Sequence, residues 1–343
     1  MQGYRFLAVV SACAGALLMG CNDEIPSSPS GVESVPTSGL TADLVGAPNT
    51  WEEVALAPTA RYLTSAASAV NANGRTIMYV FGGATEFEGE PGIGTVEAYN
   101  IASNRWAPKA SMPSGAGETN GAATIDGKIY VPGGRHYTGD GYFYQNGLQI
   151  YDPLADTWTL GADMPAANSA GVSAVIGNRL YVLTGSSDAG ATRNLFRYNA
   201  AQNRWTRLKT CPNYHIDGFA AAINGKLYVA GGHGPGGTTR TLDIYDPATN
   251  QWTSGPQLPS VHSSGVGVAV AGQFYVVGGF TDEVVAYNPK TNRWVRKASF
   301  PATTARFMSG AKVEHQGKSR IVVHAGLEDG GANNARRTFV YTP

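Results

Sequence analysis

Lys226-Leu227-Tyr228-Val229-Ala230-Gly231-Gly232 opens a stretch that passes through a variable loop to Asp243-Ile244-Tyr245-Asp246-Pro247 and closes on Asn250-Gln251-Trp252. Short runs rich in β-branched and aromatic residues, ended by glycine or a turn, are strand chemistry and leave no room for a helix of ordinary length. The same order recurs along the chain. Runs like the first end at Gly82-Gly83, Gly133-Gly134, Thr184-Gly185, Gly231-Gly232, Gly278-Gly279 and, in degenerate form, Ala325-Gly326. Runs like the second end at Tyr99, Tyr151, Tyr198, Tyr245, Tyr287 and Tyr341. Trp51, Trp106, Trp158, Trp205, Trp252 and Trp294 follow turns that carry Asn or Asp, at intervals of 42 to 55 residues. Self-similarity at such a period points to stacked, four-stranded units.

A diglycine after the second strand, a Tyr before a turn and a Trp after it resemble the Kelch motif, from residue 48 to 343. The resemblance implies an all-β chain forming a six-bladed β-propeller of roughly 49 residues per blade. The sixth unit holds three strands up to Tyr341-Thr342-Pro343. Trp51 to Leu56 is expected to supply the fourth, so that the N-terminal strand completes the last blade and no blade is left incomplete. The repeat tryptophans are expected between blades, where deleting one costs about 3 to 5 kcal/mol.

Residues 1–20 read as a signal peptide, because Arg5 precedes an uncharged apolar run from Phe6 to Met19. Its end, Leu18-Met19-Gly20-Cys21, resembles the lipobox of bacterial lipoproteins, which implies that Cys21 carries a thioether-linked lipid. Residues 21–47 are rich in Ser, Pro, Gly and Thr and read as a flexible tether. The expectation is a monomer anchored by lipid to the bacterial cell envelope, the outer membrane being favoured, with its propeller facing the periplasm or the cell exterior.

Lys plus Arg equals Asp plus Glu at 25 each, which gives no electrostatic footprint for nucleic acid. The diglycines end strands and open no helix, so no phosphate-binding loop and no nucleotide cofactor are implied. Cys211 is the one cysteine of the repeat region, and the six histidines lack zinc-motif spacing, so no metal or cofactor is assigned.

In an antiparallel blade the loops joining strands 2 to 3 and strands 4 to 1 open on one face. The opposite face carries short repetitive turns, Asp126-Gly127-Lys128, Asn224-Gly225-Lys226 and Gln316-Gly317-Lys318. The first face holds the unusual side chains, and binding resides on variable loops of rigid scaffolds. Candidate ligand residues there are Arg61, Tyr62, Glu118, Asn120, Arg135, Tyr137, Asn168, His215, Asp217, His233, His262 and Arg306. Arg61 and Arg306, each in Thr-Ala-Arg, also suit a structural role between blades.

The leading reading is a non-catalytic module that binds a protein or carbohydrate on this face. A second is a sugar isomerase, because the resemblance extends to periplasmic N-acetylneuraminate epimerases. Glu118 or Asp217 with His215 would then be acid and base, and Arg135 or Arg306 would hold a carboxylate. A third, disfavoured by the three-residue spacing of Cys211 and Tyr214, is a copper-radical oxidase of galactose-oxidase type.

Overall fold

A computed structural model describes residues 47–85, 92–302, 305–328 and 335–343. The signal segment, Cys21 and nearly all of the tether lie outside the described residues, as do Glu86, Glu88, Glu90 and Asp329 of the 2–3 loops. Six four-stranded antiparallel sheets follow one another. Blade 1 comprises Ser65–Val70, Thr76–Phe81, Val96–Asn100 and Arg105–Lys109. Blade 2 runs from Ala123–Ile125 to Thr157–Gly161, blade 3 from Val172–Ile176 to Arg204–Arg207, and blade 4 from Phe219–Ile223 to Gln251–Ser254. Blade 5 runs from Val266–Val270 to Arg293–Arg296. Blade 6 takes Ser309–His315, Lys318–His324 and Thr338–Thr342 from the C-terminal region, and Thr50–Val54 is its outer strand. That strand pairs with Thr338–Thr342 in the register Trp51 to Tyr341, as the sequence implied.

The apolar core lies between blades. Met78, Val80 and Tyr99 of blade 1 pack with Val313, Val322 and Val340 of blade 6, and each neighbouring pair of blades shares a comparable cluster.

The recurrent Tyr, Asn and Trp form one staple. Each Asn or Asp of the turn before Trp adopts a left-handed backbone, with φ between 46° and 60°. Asn and Asp tolerate that region better than other side chains, which accounts for Asp156 in the second blade. In blade 3 the Asn203 Oδ1 accepts from the Tyr198 hydroxyl at 2.6 Å and from the Ala162 amide of blade 2 at 2.6 Å. Trp205 Nε1 then donates to the Ala162 carbonyl at 2.7 Å, and the other five tryptophans make the equivalent inter-blade bond at 2.8–3.0 Å. The tryptophans differ from the expectation in being only half-buried, each packed against the edge of an inter-blade cluster.

The second glycine of each pair is fixed by close approach. A Cβ at Gly83 would sit 2.5 Å from the Tyr62 carbonyl, and one at Gly279 would sit 2.1 Å from that of Ser263. The 2–3 loop is thereby pressed onto the 4–1 connection of its own blade, and bridges such as Gly117 to Arg135 and Ile216 to His233 join the two. On the opposite face, the 1–2 turns have successive positive φ, as at Asp126 (48°) and Gly127 (80°), the geometry of tight two-residue hairpins.

Candidate functional site

Every 4–1 connection places one residue in the left-handed region at the channel mouth: Leu63, Glu118, Ala170, Asp217, Ser264 and Phe307, with φ between 50° and 61°. Their backbones are linked from blade to blade. Glu118 N donates to Leu63 O at 2.7 Å, Ala170 N to Glu118 O at 3.0 Å, Asp217 N to Ala170 O at 2.8 Å, and Ser264 N to Asp217 O at 2.7 Å. This chain of hydrogen bonds, continued by Met308 N to Ser264 O at 3.1 Å, runs along the rim of a cavity of about 150 Å³ lined by the same six residues and by small residues of the inner strands, among them Ala66, Ser173 and Gly267.

The residue directly after each glycine pair forms a second, outer ring: Ala84, Arg135, Ser186, His233, Phe280 and Leu327. The two rings divide the mouth into halves of opposite character. Blades 2 to 4 supply Glu118 with Arg135 and Asp217 with His233. Blades 5, 6 and 1 supply Phe280, Phe307, Leu327, Leu63 and Ala84, with Ser264 the one polar member of the two rings in this half. Phe280 and Phe307 are edge to face at 6.0 Å, and Phe307 lies 6.1 Å from Tyr62. The Arg306 guanidinium sits 5.6 Å above the Phe280 ring.

In the polar half, Arg135 Nε meets Glu118 Oε2 at 2.7 Å, and His233 Nδ1 lies 3.9 Å from Asp217 Oδ2. Burial pushes the Glu118 carboxyl up to about 8, the negative charge of Asp217 adds to this, and Arg135 opposes it. Burial likewise raises Asp217 to about 6. Two carboxyl groups in one desolvated mouth resist simultaneous ionisation, so this site holds a proton into the neutral range.

Blade 2 extends this half outward. Its central hairpin, Lys128–Tyr137 and Tyr142–Asp152, is longer than its counterparts. Arg135 stacks on Tyr142 at 4.0 Å, Tyr137 meets Tyr142 edge to face at 5.6 Å, and His136 lies 5.0 Å from Phe143. Tyr142 and Phe143 remain more than half exposed.

The other candidates from the sequence serve a recurring clip inside the blades. Arg61, Asn168, His215 and His262 stand two residues before the left-handed position. Arg61 is fully buried, bonds Gly82 O at 2.9 Å and pairs with Glu97 at 3.0 Å. His215 bonds Gly231 O at 2.8 Å and Asp243 at 3.0 Å; His262 bonds Gly278 O at 3.0 Å and Glu283 at 3.1 Å. Asn120 Nδ2 ties Pro132 O to Asn168 O. Tyr62 is buried behind Phe307, and Tyr137 belongs to the exposed hairpin. His215 and His262 therefore face different acids in different blades. The apolar half, Phe280, Phe307, Leu63 and Leu327, is not among the residues that the sequence marks by polar chemistry. Phe280 and Leu327 stand immediately after a glycine pair or its degenerate form, and Leu63 and Phe307 hold the left-handed position of the 4–1 connection.

A family model described as the KLHDC2/KLHL20/DRC7 Kelch-repeats domain matches residues 45–213 and 159–326. The chain is 32% identical over 102 residues to the Kelch-like protein terF of Aspergillus terreus, which covers 29% of this chain and 22% of that protein. It is 37% identical over 81 residues to Kelch-like protein 36 of Mus musculus, 24% of this chain and 13% of that protein. The matches thus span less than a quarter of either relative. A solved structure titled "Structure of YjhT" superposes with a TM-score of 0.65 over 83% of this chain and 95% of that one, at 13% identity, a likeness in fold.

Proposed function

The chain belongs to the Kelch-repeat domain family, and from that premise we propose that it is a binding module, anchored by lipid at Cys21 outside the cytoplasm, that holds a protein or carbohydrate ligand at the channel mouth. The division of the mouth carries this reading. Exposed Phe143, Tyr142 and Phe280 flank the carboxyl groups of Glu118 and Asp217, and aromatic anchors beside charged groups are a composition found in binding hot spots. An amphipathic polypeptide segment suits it best, its apolar side chains on Phe280 and Phe307 and its hydrogen-bond donors toward Glu118 and Asp217. The rigid ring behind these side chains lowers the ordering cost of association. Screening residues 46–343 against a displayed peptide library and a glycan array tests the proposal. Enrichment of peptides pairing apolar with basic or hydroxyl residues is expected, a glycan hit would assign the face to carbohydrate, and silence in both would refute a ligand-binding mouth.

Glu118 and Asp217 also support a second reading, a sugar mutarotase. Two coupled carboxyl groups, both raised by burial, can donate and accept protons near neutrality, and Arg135 beside Glu118 can receive an anionic sugar. Saturation-transfer NMR of sialic acid anomers with the protein checks this: unchanged interconversion removes it.

A further inference from the structure

Blade 4 differs from its neighbours at one buried cluster. Cys211, His215 and Asp243 are each at most 1% exposed, and Cys211 Sγ, one ring nitrogen of His215 and one oxygen of Asp243 all lie within 4.8 Å of one another. Sγ is 3.5 Å and Nε2 is 3.0 Å from Asp243 Oδ2. Those separations are close to the edges of a tetrahedral donor set around an ion with bonds of about 2.0 to 2.3 Å.

The hydrogen bonds around the cluster fix its donors. His215 Nδ1 faces the carbonyl of Gly231, which can only accept, so this nitrogen carries the hydrogen. The other ring nitrogen, Nε2, points at the Asp243 carboxylate at 3.0 Å, so a nitrogen and a carboxylate oxygen already converge beside the Cys211 sulfur. A backbone carbonyl on Nδ1 is also the usual outer support of a metal-bound histidine. Asp243 Oδ2 receives Asn213 Nδ2 at 2.9 Å as well as the thiol, whereas Asp243 Oδ1 is buried with no hydrogen-bond partner among the described residues. One oxygen is crowded and the other is orphaned.

We propose that Cys211, His215 and Asp243 form a closed structural site for a divalent cation of the zinc class. The ion binds the Cys211 thiolate, Nε2 of His215 and the Asp243 carboxylate, and the orphaned Oδ1 supplies a fourth donor atom when both oxygens bind. The thiol proton leaves to solvent on loading. Charge then closes locally: a dication balances one thiolate and one carboxylate around a neutral imidazole, so full burial leaves no net charge in the blade.

The repeat provides its own control. Blade 5 pairs its equivalent histidine, His262, with Glu283, which stands two residues before the position of Asp243, and it has Leu258 where blade 4 has Cys211, as blade 3 has Met164. Cys211, Leu258 and Met164 are all buried at this position, so Cys211→Leu keeps an apolar side chain there and removes the soft ligand.

The test refolds the full chain and the C211L variant with zinc or cobalt(II), removes free ion, and measures bound metal by mass spectrometry of the elements together with the cobalt absorption spectrum. One equivalent per chain, a thiolate-to-cobalt charge-transfer band, and a loss of affinity of about 100-fold or more in C211L are expected. Absence of bound metal in the parent, or equal binding by C211L, would overturn the site. Equal binding would place the metal at Cys13, Cys21 or surface groups. An Asp243→Asn variant that keeps the cobalt band but binds more weakly would further support the carboxylate as ligand.

Discussion

The hydroxyl of Tyr341 donates to Asn49 Oδ1 at 2.6 Å, across 292 residues of sequence. The same Oδ1 accepts the Ala298 amide at 2.8 Å, and Trp51 Nε1 donates to the Ala298 carbonyl at 3.0 Å. One asparagine therefore joins the outer strand of blade 6 to its own third strand and to blade 5, closing the ring by the same device that links the other blades.

Asn49→Ala should lower unfolding free energy by about 2 to 3 kcal/mol, because it removes two hydrogen bonds and places alanine in a left-handed backbone. Asn49→Gly relieves the backbone and loses only the bonds, so it should fall between parent and alanine in urea denaturation. Equal stability of the three would show that the seam does not depend on this residue.

His324→Leu should stabilise the protein. His324 is fully buried, neither ring nitrogen has a hydrogen-bond partner among the described residues, and Leu183 holds the same register in blade 3. Burial, with Arg61 adding to it, holds the imidazole at about 3, well below its ordinary 6.5. A depressed value means stability present above about 6.5 that is lost as pH falls toward 3. The leucine variant is expected to gain about 1 to 2 kcal/mol at pH 7 and to lose less on acidification. A melting profile between pH 4 and 7 parallel to the parent would contradict this.

Glu118 works in the opposite direction. Its folded value of about 8 lies above the ordinary 4.5, so its contribution is complete below 4.5 and is lost as pH rises through 8. Glu118→Gln, which stays uncharged, should flatten the decline in stability between pH 5 and 8. Arg135→Met should steepen it by removing the charge that opposes the shift. Melting temperatures of the three proteins across that range decide the matter.

Blade number, strand order and closure were legible because the repeat writes Gly-Gly, Tyr and Asn-x-Trp at positions where backbone geometry admits few alternatives. The mouth was only partly legible. Glu118, Asp217, Arg135 and His233 drew notice as polar residues on the correct loops. Their pairing depends on two rings of equivalent positions that become apparent once the blades are superposed. Arg61, His215 and His262 look like ligand groups in sequence, yet each is held by a glycine carbonyl and an acid inside its blade, since the partners Glu97, Asp243 and Glu283 lie 36, 28 and 21 residues away.

The central claim is that ligand binds at the divided mouth. Isothermal calorimetry of a selected ligand against Phe143→Ser, Phe280→Ser and, as a control on the outer strand of blade 2, Leu160→Ser measures it directly. Leu160 is 68% exposed, so its replacement leaves the core intact. The account predicts that both mouth variants weaken binding by about tenfold or more, near 1.4 kcal/mol each, while Leu160→Ser binds as the parent does. Undiminished binding by the two mouth variants would contradict it.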